Sequence, residues 1–432
     1  MEAQLETVDS VVVGGGPAGV VLSYLLARAG LKVVLLEAFK DFNRQFRGDT
    51  LNPLSMGLLA KLGLMDDILK LPHSKVADLK ALNKVGLKAA QLTYSRLPTK
   101  FPYIMIISQP IFLDFMVAKA AAFPNFEVRM QARVNGLIEE NGVIKGVQYR
   151  DANGRLHEVR ATLTVGADGR NSIVRKEAGL ESINLTEKAD EVLWFKIPLA
   201  DGDPVEGLVT LEDDLNALFM YRRPEEWQVS ITVKKGTYKA MRERGIADFR
   251  RSVVNMVPEF AARMEAIDWE DTSLLKVELK RAKQWYREGL MLIGDAAHIM
   301  SPLGGIGINL AIRDAVMAAN RLVEPLKRGS VTTRQLSALQ QRVAWEIALT
   351  QKIQAAAQNS KDLTVPVPNA GKNANDVIGL PPAVQVLLKI PIVRDIPTFF
   401  LAFGLVPVRV SRALRQQPAL AQPALPAELA PR

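Results

Sequence analysis

The sequence predicts an α/β protein with a parallel βαβ unit at the N-terminus, an antiparallel section in the middle and a helical C-terminal part. Three observations predict it. SVVVGGGPAGVVLSYLLARAGLKVVLLEA, residues 10–38, reads strand, glycine turn, helix, strand. Residues 126–168 read as a run of hairpins, with Asn141-Gly142 and Asn153-Gly154 as tight-turn dipeptides. From Gly307 onward the chain reads mainly as helix.

In the first unit, Val11–Val13 are β-branched and apolar on both faces, as a buried parallel strand requires. A helix is expected from Ala18 to Ala29, stopped by Gly30, and Lys32–Glu37 is the next strand. Residues 111–123, after Pro110, read as a helix. Residues 208–233 carry ALFMYRR and WQVSITV about a PEE turn, and residues 273–281 alternate, so more antiparallel strands are expected there. Leu290–Ile293 is a short apolar strand, and a helix starts near Ile308 and runs through Ala311, Ala315 and Ala319. The end, QQPALAQPALPAELAPR, has little to pack and reads as a disordered tail.

A chain of 432 residues is too long for one ordinary core, so two or three domains are expected. There is no cysteine, which excludes disulfides, thiolate nucleophiles and cysteine metal sites. The three histidines, His73, His157 and His298, are scattered, so no metal site is expected. MEAQLETVDS does not read as a signal peptide, and nothing approaches the roughly 18 apolar residues of a membrane span. The net charge of +9 suits an anionic cofactor, an acidic substrate or a membrane surface. No basic block with interleaved aromatics points to nucleic acid.

GGGPAG fits GxGxxG through Gly14, Gly16 and Gly19. The first glycine allows the tight turn, the second admits a pyrophosphate, and the third lets helix and strand approach. The helix that starts near Ala18 offers an N-terminus that favours phosphate. Glu37, followed by Ala38, ends the second strand, where a carboxylate can accept from a ribose, as in FAD or NAD. A second constellation is LIGDAAHIMSPLGGIGINLAIRDA, residues 292–315. Asp295 can accept from ribose or ribityl hydroxyls, Pro302 stiffens the turn, and Gly304, Gly305 and Gly307 bare the backbone ahead of a helix. A helix N-terminus aimed at a ligand favours negative charge, which a reduced flavin carries. His298 is expected to be structural.

GGGPAG, RGDTLNP (47–53), VGADGRNSIVR (165–175) and GDAAHIMSPLGGIGIN (294–309) occur in the order and spacing of the single-component FAD-dependent aromatic hydroxylases, which the chain resembles over roughly residues 8–360. These are the flavoprotein monooxygenases similar to para-hydroxybenzoate hydroxylase. The resemblance implies a Rossmann-like FAD-binding domain of the glutathione-reductase type (1–72, 106–185, 286–360), interleaved with an antiparallel-sheet substrate domain (73–105, 186–285). A C-terminal helical segment (361–415) and a disordered tail (416–432) would follow. It implies cofactor contacts from Gly14, Gly16, Pro17, Ala18, Gly19, Glu37, Ala38, Arg47, Gly48, Gln109 and Val134. Asp168, Gly169, Arg175, Gly294, Asp295, Pro302, Gly304, Gly305, Gly307, Ile308 and Asn309 complete that set, with Arg47 and Pro302 in catalytic positions.

The implied reaction uses NAD(P)H and O2 to hydroxylate an aromatic, quinone-precursor or polyketide-like substrate through a flavin C4a-hydroperoxide. Such proteins bind NAD(P)H without a second Rossmann unit. The substrate is expected between flavin and antiparallel sheet, with Trp194, Phe195, Phe219, Tyr221 and Trp227 as candidate lining. Halogenases of this fold carry WxWxIP, from which LWFKIP (193–198) departs by having one tryptophan, with Phe195 and Lys196 after it. A reductase of prenyl or lipid-like substrates is the stronger rival, because the apolar, basic C-terminus suits a membrane surface. Flavin-free binding proteins of this fold would have little reason to keep the GD segment. The expected location is cytoplasmic, with peripheral membrane contact through the C-terminal segment as an alternative to its packing on the FAD domain. The sequence leaves the oligomeric state open.

Overall fold

The computed structural model describes residues 7–43, 49–83, 88–185, 191–203, 208–211, 217–233, 235–302, 305–359 and 391–415. β1 (Thr7–Val13), α1 (Pro17–Arg28) and β2 (Val33–Leu36) form the βαβ start. β1 and β2 pair in parallel, with Val11 opposite Val34 and Val13 opposite Leu36. Every residue of β2 is buried, which is why the strand reads as an unbroken apolar run. Pro17 opens α1 at no cost in hydrogen bonds, because the first N–H groups of a helix have no partner within it. α2 (Gln109–Ala121) starts two residues earlier than expected, with Pro110 in its first turn.

β3 (Leu156–Gly166) is a single unbroken strand at the end of the expected hairpin run. Its first part pairs antiparallel with Val143–Arg150, and its second part pairs parallel with β1, with Val13 opposite Gly166. The meander 133–160 therefore hangs from the parallel sheet itself. Its first turn places Asn141 (φ 51°) and Gly142 (φ 81°) in the left-handed region, as a type I′ turn requires. Phe126–Arg129 departs from the expected hairpin run and pairs parallel with β2. Leu290–Leu292 adds to β3 on its other side. The parallel core thus collects residues from three distant parts of the chain.

β4 (Glu191–Pro198), β5 (Ala217–Arg222) and β6 (Glu226–Val233) lie in a second, seven-stranded sheet. β6 sits between β4 and β5, antiparallel to both. Leu208–Leu211 follows β5 and pairs parallel with Asp78–Asn83, so an early segment completes this sheet. One face is packed by the helices Ile246–Met256 and Ala261–Met264, through Leu193, Phe195, Met220, Trp227, Phe249 and Met264.

α3 (Ile306–Lys327) packs along α1, and α4 (Thr333–Asn359) against α3. The C-terminal helix Pro391–Phe403 lies on Pro53–Lys61, and Asn52 Nδ2 donates to its Leu401 carbonyl at 3.0 Å. Residues 360–390 and the tail 416–432 lie outside the described residues. No described helix is long and apolar enough to cross a membrane.

Candidate cofactor and substrate site

The three motif glycines divide by what surrounds them. A Cβ on Gly14 (φ 105°) would lie 2.5 Å from the Ala167 carbonyl oxygen, and one on Gly19 would lie 2.0 Å from that of Gly14. Both positions are closed by packing between β1, β3 and α1. Gly16, the N-cap of α1, has nothing within 4 Å of an added Cβ and provides no side-chain cap. Open space therefore stands over a helix N-terminus whose first N–H groups have no intrahelical partners.

Glu37 is buried, and its Oε2 accepts from the Gly15 amide at 2.7 Å while Oε1 accepts from Phe39 N–H at 3.0 Å. The carboxylate thus ties the glycine loop to the end of β2. A carboxylate has about four acceptor sites, so contact with a ribose is compatible with this role. Gly15 is a requirement the motif reading missed, because a Cβ there would meet Phe42 at 2.7 Å and Glu37 Oε2 at 2.8 Å. Ala38 is partly buried beside Glu37, and Val134 is buried opposite Tyr149.

The second constellation comes to the same place. Gly294 (φ 59°) approaches the first turn of α1 so closely that a Cβ there would lie 3.0 Å from the Ala18 Cβ. Asp295 follows, with its side chain 30% exposed and one oxygen 3.5 Å from Arg170 Nε. Gly305 (φ 60°) caps α3 without a side-chain cap, and Pro302 O accepts from its amide at 3.0 Å. Thr50 Oγ1 donates to Gly305 O at 2.9 Å, and a Cβ on Gly305 would strike that hydroxyl. Gly307 has open space around it, while Ile308 is buried. Arg47, Gly48 and Gly304 lie outside the described residues.

Several residues expected around the cofactor brace the protein here. Asn309 is buried, and its Oδ1 accepts from Asn52 N–H at 2.9 Å and Ser55 Oγ at 2.7 Å. Its Nδ2 donates to Thr50 O at 2.8 Å and Gly305 O at 3.0 Å. That uses the amide's full set of four hydrogen bonds. Asp168 accepts from Ser172 Oγ at 2.5 Å, Ile173 N–H at 2.7 Å and Val174 N–H at 3.1 Å, holding the start of a short helix. Burial pushes its carboxyl up, against hydrogen bonds that favour the charged form. Gly169 takes φ 78° in the following turn. Arg175 donates to Ala296 O at 2.7 Å and Arg170 O at 3.1 Å, joining this turn to the GD segment. Sequence motifs locate such residues without showing whether they face the ligand or stand behind it.

Asp49, unflagged in the sequence, connects the two sheets. Its Oδ1 accepts from the Gln109 amide at 3.2 Å, at the start of α2, and its Oδ2 pairs with Arg223 from the β5–β6 turn. Behind the cradle, His298 Nε2 lies 2.6 Å from Asp314 Oδ2, which also accepts from the Gly294 amide at 3.1 Å. Both side chains are almost fully buried, and the imidazole packs on Trp285 with ring centroids 5.0 Å apart. His298 is therefore part of the support of the glycine turn.

Two uncapped helix N-termini converge, one under open space at Gly16 and one under open space at Gly307. They suit an elongated ligand with a pyrophosphate at one end and a ring that gains negative charge at the other. FAD fits that description, and no group of three or more described acidic or histidine side chains could hold a metal.

Comparison with known proteins agrees with this chemistry. Residues 7–350 match the family described as FAD binding domain. The chain is 35% identical over 347 residues to a 6-methylpretetramide 4-monooxygenase of Streptomyces rimosus, covering 77% of this chain and 79% of that one. It is 26% identical over 339 residues to a para-nitrophenol 4-monooxygenase of Pseudomonas sp. strain WBC-3, covering 76% and 81%. A solved p-nitrophenol 4-monooxygenase from Pseudomonas putida DLL-E4 shares the fold, with a TM-score of 0.73 at 21% identity over 94% of this chain and 100% of that one. The rival readings as a reductase, a halogenase or a flavin-free binding protein are not favoured by these relatives. The chain belongs to the FAD-binding-domain family and is an FAD-dependent monooxygenase that uses NAD(P)H, O2 and a small-molecule substrate.

Proposed function

We propose that the protein hydroxylates an electron-rich aromatic or polyketide-like ring held between the α3 N-terminus and the seven-stranded sheet. The observation that carries this reading is the convergence of the Gly16 and Gly305 helix ends, with Arg223 of the sheet anchored to Asp49 beside them. FAD, when bound, supplies acceptance of hydride from NAD(P)H and delivery of one oxygen atom of O2. The chain would supply the rest. The amides at the start of α1 would bind pyrophosphate, and Asp295, part-exposed at the turn, would accept from the ribityl or pyrophosphate region. The N-terminus of α3 would favour negative charge on the ring system. The sheet would exclude water from the reacting face.

The candidate lining residues separate by face. Phe195 and Trp227 are fully buried against the helices of the second core, whereas Trp194, Phe219 and Tyr221 alternate to the opposite face. The positioning role therefore passes to those three. Incubating the FAD-loaded protein with NADPH or NADH, oxygen and a panel of phenols tests the reading. Products heavier by one oxygen, with matching consumption of reductant, support it. Turnover only of prenyl chains, with loss of a double bond and no oxygen gained, overturns it.

A peripheral membrane contact is a second reading, carried by Ile396 and Phe399, which stand 56% and 50% exposed on the C-terminal helix. Co-sedimentation with anionic vesicles, compared with an Ile396→Ser/Phe399→Ser variant, tests it.

A further inference from the structure

The face of the seven-stranded sheet turned away from its helices carries two buried polar atoms that no described residue satisfies. Along β4, Leu193, Phe195 and Ile197 enter the helix-covered core, so Trp194 and Lys196 take the other face. Along β6, Trp227, Val229 and Ile231 enter that core, so Gln228 and Ser230 take the other face. The register sets Ser230 between Trp194 and Phe219, and Gln228 between Lys196 and Tyr221.

This face looks toward the cofactor cradle. Tyr221 packs on the cluster that holds Tyr94, Ile104 and Ile106, and Arg223, two residues further along, pairs with Asp49. Two residues of strand span about 7 Å, so Gln228 and Tyr221 lie one such step from the Asp49 corner and Trp194 lies two.

Within this patch the Trp194 indole N–H and the Gln228 Oε1 are buried without a hydrogen-bond partner among the described residues. Gln228 is only 4% exposed. Leaving a buried donor or acceptor unmade costs about 1–3 kcal/mol each, so both atoms stand to gain from a ligand that supplies the missing partner. The two sit at diagonal positions on neighbouring strands, with Cβ atoms roughly 7 Å apart, near enough to meet one ligand. Their neighbours are otherwise engaged or neutral. Lys196 Nζ is 2.7 Å from Glu226, and burial pushes the Tyr221 hydroxyl up to about 12, so it remains a protonated phenol.

We propose that Trp194 and Gln228 are the specificity pair for the substrate, the indole N–H donating to a carbonyl or phenolate oxygen and Gln228 Oε1 accepting from a hydroxyl or amide N–H. The inference rests on the hydroxylase reading above and narrows it to a flat, largely apolar aromatic that carries an oxygen acceptor and a hydrogen-bond donor together. Hydroxylated aromatic ketones and carboxamides belong to that class. Simple phenols satisfy half of the pair, and prenyl chains satisfy neither atom.

The test uses the FAD-loaded protein with three probes: 3-hydroxy-2-naphthamide, 2-naphthol and farnesol. Binding is read from the flavin absorbance change, and turnover from substrate-stimulated NAD(P)H oxidation. The hydroxynaphthamide is expected to bind roughly tenfold more tightly than 2-naphthol, the size of one or two added hydrogen bonds. Trp194→Phe, which keeps an aromatic ring, and Gln228→Met, which keeps most of the volume, are each expected to weaken hydroxynaphthamide binding by about fivefold, the size of one hydrogen bond. FAD content should stay within about twofold, which also shows that the variants fold. If both variants bind the hydroxynaphthamide as tightly as the parent, the pairing is wrong while the hydroxylase reading stands. If neither naphthalene probe binds, the proposed substrate class is wrong. If farnesol alone stimulates turnover, the hydroxylase reading fails as well.

Discussion

Arg223 and Asp49, 174 positions apart, form an ion pair that ties the seven-stranded sheet to the start of α2. Asp49 is 5% and Arg223 13% exposed at the side chain, and Arg223 also reaches Glu226 at 3.1 Å. Burial lowers the guanidinium's pKa, and the neighbouring Glu226 opposes that shift. Arg223→Met should leave a buried carboxylate unpaired and destabilise the protein by about 3 kcal/mol. Arg223→Met combined with Asp49→Leu should recover much of that loss in urea unfolding. It should not recover turnover, if the pair sets the distance between sheet and cradle.

The motif glycines should separate by role. Gly19→Ala places a methyl 2.0 Å from the Gly14 carbonyl, forcing helix from strand. It should lower stability by roughly 1–3 kcal/mol with or without cofactor, as overpacking does. Gly16→Ala meets no protein atom within 4 Å. It should leave the melting of the apoprotein unchanged and weaken FAD binding by about tenfold, equal to about 1.4 kcal/mol. Thermal melts of both variants, with FAD titrations, check the contrast.

Asp295 is partly exposed, and its carboxylate approaches Arg170 Nε at 3.5 Å. Asp295→Ala should therefore shift stability by no more than about 0.5 kcal/mol. FAD affinity should fall by about tenfold or more, the loss expected for a charged hydrogen-bonding partner. Unchanged affinity, measured by fluorescence quenching of the flavin, would move the cradle elsewhere.

The His298–Asp314 pair makes stability depend on pH. Burial alone would raise the Asp314 carboxyl, but the charge and hydrogen bond of His298, with Arg313 and the Gly294 amide, hold it below the usual range. A carboxyl with a depressed pKa in the folded state stabilises the protein above its unfolded pKa, about 3.9, and loses that contribution as pH falls through the folded value. Asp314→Asn should cost about 3 kcal/mol at pH 7, as the breaking of a buried pair does. The gap between variant and parent should close as pH falls below about 4, measured by urea unfolding across pH.

Much of this architecture was legible because glycine requirements are local. Gly14, Gly19 and Gly294 sit where another residue would collide or strain, and such needs leave a fixed spacing in the chain. The rest depended on distance or orientation. No pattern near Asp49 announces Arg223, and Asn309 reads alike whether it faces a ligand or, as found, Asn52, Ser55, Thr50 and Gly305. The aromatic residues of β4 and β6 show the same limit. Alternation separated Trp194 from Phe195, but both faces of this sheet are covered, so period alone did not tell which one meets the cofactor domain. β3 misled for a related reason, since it changes partner from antiparallel to parallel partway along an unbroken strand.

The most direct test of the central claim is isotopic. The FAD-loaded protein is given NAD(P)H, 3-hydroxy-2-naphthamide and 18O2, and the product is analysed by mass spectrometry. A monooxygenase of this kind should place one 18O atom in each product molecule, with about one NAD(P)H consumed per product at full coupling. A product formed without the label, or labelled instead from H218O, would contradict the assignment of oxygen transfer to this site.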